Sequence, residues 1–258
     1  MGSTRLPGKV MLKVMGRPML SYMIKRLSFC KSINKIVIAT TNSEQDKPIV
    51  QYCIENNILH YEGSEDDVLD RFYQTAKKFK AEKIIRLTGD CPLIDPEVID
   101  ELVGQFIKEG DIDHMNTGVT YPEGADAEIV SFSALEDAWK NAILGTEREH
   151  VTAHIWANPD KFKTKSMQNS RDLSKYRYTI DEPSDFEVVK AIFLALYKEN
   201  EIFLTETIIK YLDSHPEVFN LNQGIIRNEG LLKSIEKEEE AGGILDEYKK
   251  MRKLSDDP

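Results

Sequence analysis

Apolar and polar positions follow two alternating periods along the chain. Residues 35–40 read KIVIAT, a β-branched run that ends polar, the pattern of a buried parallel strand. Helical spacing then takes over, with Pro48 near the start of a helix running to about Asn56. A short strand at 59–61 precedes Gly63, and Val68, Leu69, Phe72, Tyr73 and Ala76 then supply one apolar helix face. Ser64 is the expected cap of that helix, with Glu65, Asp66 and Asp67 in its first turn. Residues 83–87 (KIIRL) form the next strand, and a further helix runs from Pro96 to about Gly110. This β-α-β-α order predicts a doubly wound α/β sheet whose ligands bind at the carboxyl ends of its strands.

The middle breaks the rhythm. Residues 113–117, 121–124 and 126–132 read as strand, turn and strand, and helices follow from Ser133 and from about Glu147. Strands are expected again at 162–167 and 177–180, then a strong helix from Ser184 to about Lys198. The chain divides into an α/β domain over 1–228 and a charged helical tail over 229–258, the tail being a candidate contact for a homodimer.

With 258 residues and 41% hydrophobic content, the chain is long enough for a full core. No apolar run approaches the ~20 residues of a membrane span, and no signal peptide is legible at the start. Cys30, Cys53 and Cys91 lie far apart and have no metal or redox spacing. A cytoplasmic protein with reduced thiols is the expectation. A net charge of −10 argues against broad nucleic-acid binding.

That charge is unevenly distributed. No acid precedes Glu44, while the same span holds eight Lys or Arg residues. At its start stands Gly2-Ser3-Thr4-Arg5-Leu6-Pro7-Gly8-Lys9. Glycines let backbone N–H groups approach a ligand, Pro7 stiffens the turn, and Arg5 and Lys9 add positive charge, so the loop suits a polyphosphate. It is not a Walker A loop: the glycines are one residue too far apart, and Val10 stands where Ser or Thr should bind Mg²⁺.

Two acids stand out. Asp90 and Asp181 each follow a β-rich run and precede a proline-containing turn, which places a carboxylate at a sheet edge for a hard cation. A turn-forming or capping role is the alternative for either acid alone. His150 and His154, four apart, are expected to share a helix face toward a substrate pocket, and no third ligand makes them a zinc site.

Six ordered stretches carry a resemblance: GSTRLPGK, GSEDDVLDRF, LTGDCPLIDP, YPEGADAE, EREHVT and TIDEPSDFE. From residue 2 to about residue 195 the chain closely resembles the cytidylyltransferase family of spore-coat polysaccharide biosynthesis proteins. These are relatives of the enzymes that make CMP-Kdo and CMP-activated nonulosonic acids. The resemblance implies a nucleotide-diphosphosugar transferase fold, Rossmann-like, and transfer of CMP from CTP to a sugar, a sugar acid being expected, with release of pyrophosphate for surface polysaccharide synthesis. By likeness, Gly2, Ser3, Arg5 and Lys9 hold the nucleotide and its triphosphate, and Asp67 and Arg71 border the base. Asp90 and Asp181 hold Mg²⁺, and Glu128, Arg148, Glu149 and His150 face the sugar. Arg5, Lys9 and Asp90 are the catalytic set.

The resemblance has one departure. In the family the loop follows a first strand ending in Gln-Ala-Arg, and no such strand is present here. The expectation is an unpaired sheet edge near 35–40 and a chain unstable or poorly active, repaired by an upstream extension of about 8–10 residues. A glycosyltransferase using a nucleotide-sugar and a non-catalytic nucleotide-binding protein remain the alternative readings.

Overall fold

The computed structural model describes residues 1–240. A single 3-10 turn at Lys9–Met11 closes the glycine loop, with Gly8 at φ 70° in the left-handed region that glycine adopts without strain. A small antiparallel ribbon, β1 (Lys13–Val14) with β2 (Arg17–Pro18), leads into α1 (Met19–Leu27). Next come β3 (Val37–Thr41), α2 (Lys47–Glu55), β4 (Leu59–Gly63), α3 (Val68–Phe79), β5 (Lys83–Arg86) and α4 (Pro96–Glu109).

β3 pairs in parallel with β4 and, among the described residues, with no other strand. Val37, Ile38 and Ala39 are correspondingly half-buried, not buried as the KIVIAT run suggested. The second sheet has the order β5-β7-β6-β8, with β6 (His114–Thr117), β7 (Glu128–Ser131) and β8 (Thr164–Met167). β7 runs antiparallel to both β5 and β6, whereas β6 and β8 are parallel. The α/β class holds, but the sheet is mixed. The turn at 121–124 folds β7 back between β5 and β6, and hairpin-like return makes the pairing antiparallel.

Register sorts the side chains of this sheet. Ile85 pairs with Ile129 and packs, with Met115, on the Ile99, Leu102, Val103 and Phe106 face of α4. Burying each of those α4 side chains contributes about 1.5–3 kcal/mol. On the other face Ile84 and Val130 meet Leu69 of α3 and Ala134 and Leu135 of α5 (Phe132–Asn141). Because side chains alternate along a strand, Arg86 and its partner Glu128 share that face, one step past the end of its apolar layer.

Three local expectations are corrected. The helix after Gly63 begins at Val68, and its cap is Asp67, which accepts the Asp70 N–H at 2.8 Å; Ser64 instead accepts the Asp67 N–H at 3.0 Å. Residues 177–180 form no strand, only a bridge between Glu123 and Arg177, because they run beside a turn and not a ladder. His150 and His154 do not share a helix. α6 (Gly145–Glu149) ends at His150, Val151 turns at φ 54°, and α7 (Ala153–Trp156) starts afresh.

α8 (Pro183–Leu196), α9 (Thr205–Ser214) and α10 (Pro216–Phe219) complete the body, with Val188, Val189, Ile192 and Phe193 of α8 in the core. The tail is described as far as Glu240 and forms α11 (Glu229–Glu240). It docks: Ile235 is buried with Ala153 and Ala157 of α7. The remainder of the tail, 241–258, lies outside the described residues.

Candidate active site

The glycine loop meets Asp90, in the turn after β5, and Asp181, which is not at a sheet edge as expected, because the 177–180 run before it forms no strand. Lys9 Nζ lies 2.7 Å from Asp90 Oδ2 and 2.8 Å from Asp181 Oδ1. The Asp90 carbonyl accepts the Ile180 N–H at 2.8 Å, which ties the two acid-bearing turns together. Arg5 flanks the pair, 3.2 Å from Asp181, 3.2 Å from Glu182 and 2.7 Å from Glu229. Burial opposes the charge on Lys9, but Asp90 and Asp181 outweigh it and hold the ammonium above its ordinary pKa. Burial likewise opposes ionisation of Asp90, and Lys9 overrides it, so the carboxyl sits below its usual range.

Asp181 is aimed by a buried scaffold that the sequence did not reveal. Arg177 donates to Asp181 at 3.0 Å, to Asp185 at 2.8 Å, and to Glu123. Asp185, fully buried, accepts the backbone N–H groups of Asp181 and Glu182 at 2.9 Å each, and Asn222 donates to it at 2.8 Å. Gly124, at φ 108°, lets this turn close: a Cβ there would meet the Thr179 nitrogen at 2.6 Å. Asp185 carried no assignment from the sequence, and its partner Arg177 lay in the strand expected at 177–180.

The other expected residues divide among neighbouring groups. Ser3 Oγ accepts the Leu6 N–H at 3.2 Å, which shapes the loop, and the position of a Gly2 Cβ lies 3.4 Å from Glu65. Arg71 donates to the Ser64 carbonyl and crowds Gly63, where a Cβ would meet Arg71 Cγ at 2.9 Å. Asp67 and Arg148, expected at base and sugar respectively, are ion-paired with each other through Nε at 3.0 Å and through Nη2. Glu149 accepts from Ser234 at 3.0 Å and stands 4.0 Å from His150 Nε2.

Glu128 centres a polar cluster between the sheet and the α6–α7 turn. It accepts from Arg86 at 2.9 Å and from Thr152, and His114 Nε2 lies 3.3 Å away. Burial opposes its charge, yet Arg86, His114 and Thr152 bring its pKa down to about 2. Burial and the Arg86 guanidinium hold the nearby His150 imidazole below its ordinary pKa, despite Glu149. Arg86 Nε, His114 Nδ1 and His150 Nε2 are buried without a protein hydrogen-bond partner. Sequence reasoning missed Arg86, His114 and Thr152. A cation inside the apolar run KIIRL was the available signal for the first.

A cytidylyltransferase family model matches residues 1–214, most of the chain. The chain belongs to the cytidylyltransferase family. This cytidylyltransferase is 36% identical over 228 residues to the uncharacterized protein MJ1063 of Methanocaldococcus jannaschii, covering 87% of this chain and 91% of that one. It is 31% identical over 228 residues to the spore coat polysaccharide biosynthesis protein SpsF of Bacillus subtilis, covering 84% and 92%. Among solved structures, a cytidylyltransferase from Leptospira borgpetersenii superposes with a TM-score of 0.81 at 35% identity, covering 87% of this chain and 94% of that one. The cytidylyltransferase is therefore a nucleotidyltransferase enzyme with a Rossmann-like α/β fold. No helix among its described residues is long and apolar enough to cross a membrane.

Proposed function

We propose that the enzyme transfers CMP from CTP to the hydroxyl of a sugar, releasing pyrophosphate, in the synthesis of a surface polysaccharide. The observation that carries this is Lys9 bridging Asp90 and Asp181 with Arg5 alongside. The sugar oxygen attacks the α-phosphorus in line as the bond to pyrophosphate breaks, and charge grows on non-bridging and leaving oxygens. Arg5 and Lys9 are the loop cations that meet that charge, and Gly2 and Ser3 bring backbone N–H groups to the triphosphate.

Two carboxylates converging on one cation form an oxygen donor set suited to a hard divalent ion. Asp90 and Asp181 would hold Mg²⁺, whose chemistry is charge neutralisation at the phosphates. The Glu128 cluster, with unsatisfied groups on Arg86, His114 and His150, offers the polar surface for the sugar, with Glu149 4.0 Å from His150 and Arg148 held by Asp67. Asp67 and Arg71, on the β4–α3 side, border the base.

The supporting experiment measures pyrophosphate release from CTP across a panel of sugar acids and neutral sugars, with and without Mg²⁺. Release that needs CTP and one sugar, with a CMP-sugar as product, supports the reading. Calorimetric CTP binding with no release across the panel would sink the transfer step.

A further inference from the structure

The tail helix α11 reaches the nucleotide loop and the sugar side at once. At its first residue, Glu229 takes Arg5 at 2.7 Å. Five residues on, Ser234 donates to Glu149 at 3.0 Å, and the Thr146 hydroxyl donates to the Ser234 carbonyl at 3.1 Å. Glu238 accepts the Thr146 N–H at 3.2 Å, so one helix spans from Arg5 to α6. The approach to α11 is fixed as well. Arg227 donates to Asp126 at 2.8 Å and to the Tyr121 carbonyl at 2.8 Å, Asn228 turns the chain at φ 56°, and its N–H donates to Glu123 at 3.2 Å. Glu123 also holds Arg177, the residue that aims Asp181.

The charge around Arg5 is lopsided. Asp181, Glu182 and Glu229 all contact its guanidinium, while Lys9 is shared by Asp90 and Asp181. The two loop cations thus face four carboxylates, of which Asp181 is also held by Arg177 and Glu229 by Lys233. A polyphosphate arriving at this loop must take donors away from carboxylates that hold them. Asp181 and Glu182 are fixed by Asp185 through their own backbone. Glu229 has no such anchor: its other partner is Lys233, at 2.8 Å on its own helix, and its side chain is 29% exposed. The Glu182 side chain is as exposed, at 31%, but among the described residues Arg5 is its one ion partner, so Glu229, already paired with Lys233 one turn along α11, is the carboxylate that can leave Arg5 and stay paired.

Resting on the nucleotidyltransfer reading above, we propose that Glu229 occupies Arg5 in place of phosphate in the nucleotide-free enzyme. α11 is then an autoinhibitory strap, released from Arg5 when the triphosphate binds. Because the same helix holds Glu149 and Thr146 through Ser234, that release reaches the segment carrying His150, beside the Glu128 cluster proposed for the sugar. Nucleotide and sugar sites are coupled through the tail.

Glu229→Gln keeps the shape of the side chain and removes its charge. Calorimetry with CTP and with inorganic tripolyphosphate should show both binding about two- to fivefold more tightly to E229Q than to wild type, the scale of one partly exposed ion pair. Glu229→Ala should tighten both similarly. Hydrogen exchange should show the amides of 229–233 less protected when CTP binds wild type, with no such change in E229Q. A purely structural Glu229 gives the opposite sign, with weaker binding and a lower Tm in both variants, and that result or unchanged affinity overturns the strap. Wild-type protein that binds neither CTP nor tripolyphosphate overturns the nucleotide reading itself, so the two failures are distinct.

Discussion

Lys9 is the side chain whose removal tests the site most directly. Lys9→Met keeps most of the aliphatic stem and deletes an ammonium that touches Asp90 at 2.7 Å and Asp181 at 2.8 Å. Each charge-assisted contact contributes about 1.5–3 kcal/mol net, and burial of the ammonium offsets part of it. The variant should therefore fold but melt at a lower temperature, with two carboxylates left facing each other. Its effects on ligands should have opposite signs. CTP loses one charge-assisted partner, about 1.5–3 kcal/mol or roughly 10- to 150-fold in Kd. A divalent ion gains, because it no longer competes with the ammonium for the Asp90 and Asp181 oxygens. Titration calorimetry with CTP, and separately with Mn²⁺ on nucleotide-free protein, reads both. Unchanged CTP affinity would remove the loop from the site, and unchanged Mn²⁺ affinity would remove the two aspartates as a metal pair.

Further outcomes follow from the same geometry. Asp90→Asn and Asp181→Asn should each abolish Mg²⁺-dependent turnover with the circular dichroism spectrum intact, since an amide is a poor ligand for a hard cation; full activity returns that residue to a structural role. Arg177→Met should lower stability by about 3–5 kcal/mol in urea melts, because it strands the buried Asp185 and Glu123 carboxylates; a loss under 1 kcal/mol would mean the network is dispensable. Glu128 has a folded pKa of about 2 against 4.5 for an unperturbed carboxyl. Its stabilisation is thus fully present above pH 4.5 and lost as pH falls toward 2, an upper bound of about 3 kcal/mol. Glu128→Gln should flatten that part of the stability–pH curve, and an unchanged acid limb would refute the assignment.

Where neighbours in sequence are neighbours in space, the chain could be read directly. The apolar face Val68, Leu69, Phe72, Tyr73 and Ala76 is set by helical period alone, and α3 forms there. Proline-containing turns also carried their own signal, so Asp90 and Asp181 were visible as turn acids before anything placed them on one ammonium, although the run before Asp181 forms no strand. Lys9 and Arg5 were visible because glycine and proline around them restrict the backbone to a tight loop.

The pairing of distant segments was decided by packing. Nothing local distinguishes an antiparallel β7 from a parallel one, because strand direction depends on how the 121–124 turn returns the chain. Residues 177–180 have strand composition, yet no ladder lies within reach of their backbone, so they form only one bridge. The eight residues EREHVTAH looked like one helix, but Val151 at φ 54° divides them, leaving His150 4.0 Å from Glu149 and sending His154 toward Glu147. The charged composition of the tail suggested a helix, and its described part, residues 229–240, forms α11. Only the tertiary fold could seat Glu229 on Arg5, 224 residues away, since an ion pair depends on distance in space and leaves no trace in the spacing of its partners along the chain.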